Sequence, residues 1–205
     1  MLLILALPVV ADAARRVEWR SLDRVDRALW ALLGVALLGS QSMSVALPGL
    51  PVLGYQGAAF LAIVLGYCRA ILSLAIVLAL TVPLLHWGGA MLVDALLPVW
   101  CIGALVSLTR RFAPPNLFVF LLGPGFFGLF AVGALQLAAG FALDRLGAGD
   151  VVVAGGFAEA FGYGLLLLAG EATLAGMVIS VLVVYLPRSV ALFDEAHYLS
   201  AGKSM

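Results

Sequence analysis

Charge is what this sequence has least of. Only 11% of its 205 residues are Asp, Glu, Lys or Arg, against about 25% in an ordinary soluble domain, and the eleven basic residues cancel the eleven acidic ones. So few charges cannot coat a water-facing surface on a chain that is 64% hydrophobic, which makes lipid the main solvent and the chain a polytopic membrane protein. Zero net charge also removes the electrostatic attraction on which nucleic-acid binding depends, and excludes that class. Cysteine is nearly absent. Cys68 and Cys101 both lie in apolar runs without metal-type spacing, and read as small buried hydrophobes.

Catalytic equipment is missing as well. There is no nucleophile, base and orienting acid at workable spacing, and no glycine loop followed by Lys-Ser or Lys-Thr to cradle a phosphate; Gly123-Pro124-Gly125 and Gly155-Gly156 are helix breakers. Two histidines do not make a metal cage by themselves. The expectation is a protein that is not an enzyme, carries no cofactor or resident metal site, and cannot hydrolyse ATP unaided.

What the chain has in plenty is long apolar runs without strand-like alternation, and in lipid such runs satisfy their backbone as closed helices of about 20 residues. The runs predict an all-α membrane bundle of six full spans, at 28–47, 52–67, 70–86, 89–109, 116–142 and 161–186, with a short N-terminal apolar piece at 1–14 that reads as a clipped first helix in preference to an interfacial helix or a signal-peptide core. The second and third spans are divided only by Tyr67-Cys68-Arg69, which predicts a tight helical hairpin. Small residues recur at packing distance in Ser40 with Ser44, Ala58 with Ala62, Ala134 with Ala138 and Gly176 with Ser180, so neighbouring backbones approach closely.

Lys and Arg remain on the cytoplasmic side of a membrane. With six spans, Arg15, Arg16, Arg20, Arg24, Arg27, Arg69, Arg110, Arg111, Arg188 and Lys203 share one side, and Arg145 alone falls on the other. The sequence thus predicts a single integral membrane domain over 1–205, with a cytoplasmic loop at 15–27 and a cytoplasmic tail at 187–205.

Polar groups at membrane depth are expensive and face the bundle interior, pair, or carry function. Three are candidates for lining a substrate path. Glu171 stands in Gly-Glu-Ala-Thr between two apolar runs, Asp94 precedes Pro98, which can free a backbone carbonyl, and His86 opens His-Trp-Gly-Gly beside the interfacial anchor Trp87. The competing readings are a structural hydrogen bond for Glu171, a helix-kink device for Asp94 and a structural interfacial histidine for His86. Glu159 flanks the last span and reads as solvated.

Several stretches together resemble the membrane components of energy-coupling-factor ABC transporters of the cobalt and nickel type, in particular a bacterial branch of predicted permeases. They are Ala113-Pro114-Pro115-Asn116-Leu117-Phe118-Val119-Phe120, Gly125-Phe126-Phe127-Gly128, Gly170-Glu171-Ala172 through Gly176 to Val183-Val184-Tyr185, and Phe193-Asp194-Glu195 to Tyr198-Leu199; Leu47-Pro48-Gly49, Gly57 to Gly66 and His86-Trp87-Gly88-Gly89 add to them. The resemblance covers roughly 45–199 and implies an inner-membrane, multi-pass component with its C-terminus in the cytoplasm. It implies partnership with a coupling membrane subunit and cytoplasmic ATPases, with Asn116, Gly125, Gly128 and Gly176 as partner-contact candidates. In the metal-carrying relatives the ion is held by the N-terminus, with a histidine directly after the initiator methionine, and by a second histidine at the start of the following conserved helix. This chain has Leu2 and Gly54 at those places, so fold and membership carry over while both side-chain ligands are absent. The function expected is substrate binding or permeation in an uptake system for a metal ion, cobalt or nickel, or another small solute. The alternative is an accessory membrane subunit of a larger complex without transport activity.

Overall fold

The computed structural model describes residues 2–17, 23–41, 57–82, 91–145 and 157–199. Among these the chain is helical and contains no strand. Helix α1 is Leu2–Arg16 and α2 is Arg24–Gln41, so the basic residues expected in a loop at 15–27 lie partly on the ends of these two helices. Helices α3 (Ala58–Leu65) and α4 (Tyr67–Thr81) follow. Helix α5 opens with a π-helical turn, Met91–Leu96, and continues as Leu97–Phe112. Helix α6 comprises Leu117–Leu122, a second π turn at Gly123–Gly128, and Leu129–Arg145. Helix α7 runs Phe157–Tyr185, and a 3₁₀ turn at Pro187–Ser189 leads to the short α8, Glu195–Leu199.

Three of these are long and apolar enough to cross a bilayer: Met91–Phe112, Leu117–Ala142 and Ala158–Tyr185. They coincide with the last three expected spans. The first three expected spans have no described helix of comparable reach. The span at 28–47 is helical to Gln41, and the rest of it lies outside the described residues. The span at 52–67 contributes the eight residues of α3, roughly 12 Å of helix, and the span at 70–86 is helical only as far as Thr81, the end of the fifteen-residue α4, roughly 22 Å long.

The boundary between α3 and α4 differs from the expected Tyr67-Cys68-Arg69 turn. The break is at Gly66, whose φ of +80° only glycine adopts without strain, and Tyr67, Cys68 and Arg69 already belong to α4. A Cβ on Gly66 would also stand 3.0 Å from that of Ala191. The tail therefore presses on the break itself, a contact no local pattern could announce.

All eight side chains of α3 are buried, as expected for a helix that is apolar on every face. It packs against α4, α5 and α6, and forms the centre of the main core with Ile71, Met91, Leu96, Ile102, Phe120 and Ile179. Helix α1 lies on α4 and α7 lies along α6, while the main contact of α2 is with α4. Val25, Leu32 and Val35 on α2 face outward, as do Leu166, Leu174, Met177 and Val184 on α7. In lipid such side chains need no protein partner.

The segment after α7 folds back onto the end of α3. Its backbone donates from Ala191 N to Val64 O at 2.9 Å and from Leu192 N to Ile63 O at 3.1 Å, and Val190 is fully buried. Phe193 and Tyr198 then meet Phe120 with ring centroids 5.1 and 5.3 Å away. Residues 190–198 are thus held on the bundle by backbone bonds and ring contacts.

Candidate functional site

Both long helices that break into π turns do so beside a proline. Pro98 has no N–H for the carbonyl of Asp94 four residues back, and Pro124 none for that of Phe120. The wider turns at Met91–Leu96 and Gly123–Gly128 absorb the mismatch, and such turns recur at functional sites. The first carries Asp94. Its neighbours Met91, Ala95 and Leu96 are buried, Asp94 itself is half-buried, and its Oδ1 accepts a hydrogen bond from Gln136 Nε2 of α6 at 3.1 Å. Gln136 is 3% exposed, and its Oε1 is buried without a hydrogen-bond partner.

Glu171 sits in the middle of α7 and is half-buried. Asp94 pairs with Gln136 and not with Glu171. His86 lies outside the described residues. Among the described residues no three His, Cys, Asp or Glu side chains come together. The sequence reading missed Gln136, although a signal was present: it is the one amide in the otherwise apolar run 129–142. Its partner across the bundle could not be read from that run.

The second π turn gathers the glycines expected at partner contacts. A Cβ on Gly176 would stand 3.2 Å from the carbonyl oxygen of Gly125, and one on Gly128 would stand 2.5 Å from Leu105 Cδ2. Here the close approach that small residues permit is made within the chain, between α7 and the π turn and between the π turn and α5. Asn116 has a different task. It is exposed and caps α6, its Oδ1 accepting from Phe118 N at 2.9 Å and its carbonyl from Val119 N at 3.0 Å.

Near the opposite end of α5 from Asp94, Arg110 donates from Nη2 to Leu192 O at 2.6 Å. Tyr198 packs on Phe193 in a stack of 5.6 Å. Burial pushes the Tyr198 phenol above its ordinary value, while the Arg110 charge draws it back in part.

No protein-family model and no curated protein matches this chain. A solved crystal structure of a transition metal transporter has the same fold, with a TM-score of 0.63 and 22% sequence identity over 98% of this chain and 92% of that one. The chain therefore shares the fold of that structure along nearly its whole length.

Proposed function

We propose that this chain is a multi-pass membrane component of a metal-uptake transporter of the energy-coupling-factor ABC type, with no catalysis of its own. The observation that carries the reading is the fold shared with a transition metal transporter over nearly both chains. The three long apolar helices and the sequence stretches at 113–120, 125–128 and 170–185 support it. In this reading the chain crosses the bacterial inner membrane six times, with its Arg-bearing turns and C-terminus in the cytoplasm. It works with a coupling membrane subunit and cytoplasmic ATPases, which supply the energy that this chain has no phosphate loop to harvest. Glu171, His86 and Asp94 line the path of the solute, a metal ion or another small solute.

Purification from the native membrane in mild detergent tests this, with metal content measured on the same sample. Recovery of ATPase subunits is expected, and a preparation that holds only unrelated membrane proteins sinks the proposal. Glu171→Gln should abolish uptake in a folded, assembled protein.

The second reading is an accessory subunit without transport activity. It is favoured by Leu2 and Gly54 standing where the related metal carriers have histidine, and by the lack of any cluster of three metal-binding side chains among the described residues. Under it, Glu171→Gln weakens assembly and leaves uptake by the complex unchanged. The same variant therefore separates the two.

A further inference from the structure

The Asp94–Gln136 pair has more acceptors than donors. One amide nitrogen offers two N–H groups, and one of these serves Asp94 Oδ1; the second carboxyl oxygen and Gln136 Oε1 remain. Oε1 is fully enclosed and no described residue donates to it. An orphaned buried acceptor costs about 1–3 kcal/mol, and a half-buried carboxylate with no cation beside it among the described residues adds to that cost. Both penalties vanish if the carboxyl holds a proton. An O–H on Asp94 supplies the donor that Oε1 lacks, and the two side chains become an acid–amide pair joined by two hydrogen bonds. Turning the amide over does not remove the need, because it sets two oxygens 3.1 Å apart, which is stable only with a proton between them.

Among the described residues no other charge takes the proton's place. The elements packed against this turn are α1, α4, the rest of α5 and α6. They carry Asp12, Arg15 and Arg16 on α1, Tyr67, Cys68 and Arg69 on α4, Cys101, Arg110 and Arg111 on α5, and Asp144 and Arg145 at the far end of α6. Among the described side chains, the one that bonds to Asp94 is the neutral amide of Gln136. A dehydrated metal cation needs about six oxygen ligands, whereas this pair offers three and a proton needs one.

We propose that Asp94 and Gln136 form an intramembrane proton site, a latch between α5 and α6 that closes when Asp94 takes up a proton and loosens when it releases one to solvent. The step is the exchange of one proton at the Asp94 carboxyl, with no other bond made or broken. Its existence does not depend on which solute is carried, or on whether one is.

The test uses the full chain in lipid vesicles and dicyclohexylcarbodiimide, which modifies protonated carboxyls in apolar surroundings, with the site assigned by peptide mass spectrometry. Labelling at Asp94 is expected, falling at least about tenfold between about pH 5 and about pH 9. Labelling that ignores pH over that range overturns the exchange. Labelling that sodium blocks at constant pH overturns the proton in favour of an alkali ion. Asp94→Asn, which keeps a two-bond pair with Gln136 and has no proton to lose, provides the second readout. It should fold like the wild type, make thermal stability independent of pH over the same range, and remove a protonated-carboxyl band from the infrared spectrum. If no such band is lost, Asp94 is ionised and the proposal fails. A proton site found in a chain that co-purifies with no ATPase would leave this inference standing and remove the transport reading.

Discussion

The guanidinium of Arg110, in the last turn of α5, donates from Nη2 to the carbonyl oxygen of Leu192 at 2.6 Å. A basic residue of the kind that fixes membrane orientation thus also holds the tail. Together with the two backbone bonds from Ala191 and Leu192 to the end of α3, it gives the tail polar anchors around the aromatic cluster of Phe120, Phe193 and Tyr198.

Removal of the Phe193 ring should release this segment. Phe193 is 7% exposed and contacts both other rings. Phe193→Ala is expected to destabilise by about 3 kcal/mol, and limited trypsin digestion should then cut at the exposed Arg188 much faster than in the wild type. An unchanged digestion rate would mean that the aromatic cluster does not hold the tail.

Alkali should have the same effect through Tyr198. Burial raises its phenol above the ordinary value, so the folded tail prefers the neutral form. The stability this contributes is fully present below the ordinary phenol value of about 10 and is lost as pH rises through the raised folded value. Trypsin sensitivity should rise in step with tyrosinate absorbance over that window, and Tyr198→Phe should stay resistant. If the Phe variant responds to alkali equally, another group is responsible.

Glycines on α7 should differ sharply in their tolerance of a side chain. At Gly176 a Cβ meets the Gly125 backbone oxygen at 3.2 Å, which cannot swing aside, whereas at Gly170 nothing lies within 4 Å. Gly176→Val is expected to cost about 1–3 kcal/mol, while Gly170→Ala should be neutral or stabilise by up to about 1 kcal/mol through helix propensity. Thermal unfolding followed by size-exclusion chromatography in detergent ranks them. Equal midpoints would remove the close approach of α7 to the π turn.

A side-chain bond from Trp30 Nε1 to Ser73 Oγ at 2.6 Å ties helix α2 to α4, and the same hydroxyl donates to Arg69 O at 2.9 Å. Ser73→Ala should cost about 1 kcal/mol. A double-mutant cycle with Trp30→Phe should show coupling of similar size. Strict additivity of the two changes would mean that this bond contributes nothing.

Composition and hydropathy were enough to fix the solvent, the helical class and the placement of the three long helices, because each of those follows from residues adjacent along the chain. Gly123-Pro124-Gly125 and Pro98 mark interruptions where the two π turns lie, and the polar Tyr67-Cys68-Arg69 marks the break at Gly66 to within a residue. The residue that closes over Gly66 is Ala191, which lies far along the sequence. Glu171 and Asp94 stood out as polar residues in apolar surroundings, and Gln136 carried the same signal more faintly.

Pairing is what only the tertiary structure decided. Asp94 with Gln136, Gly176 with Gly125, and the tail with the end of α3 each join positions tens of residues apart or more. A sequence states what each side chain needs: a donor, a gap, an apolar neighbour. Which residue meets that need is set by how helices cross, and crossing is governed by the shape of whole packed faces rather than by any local pattern.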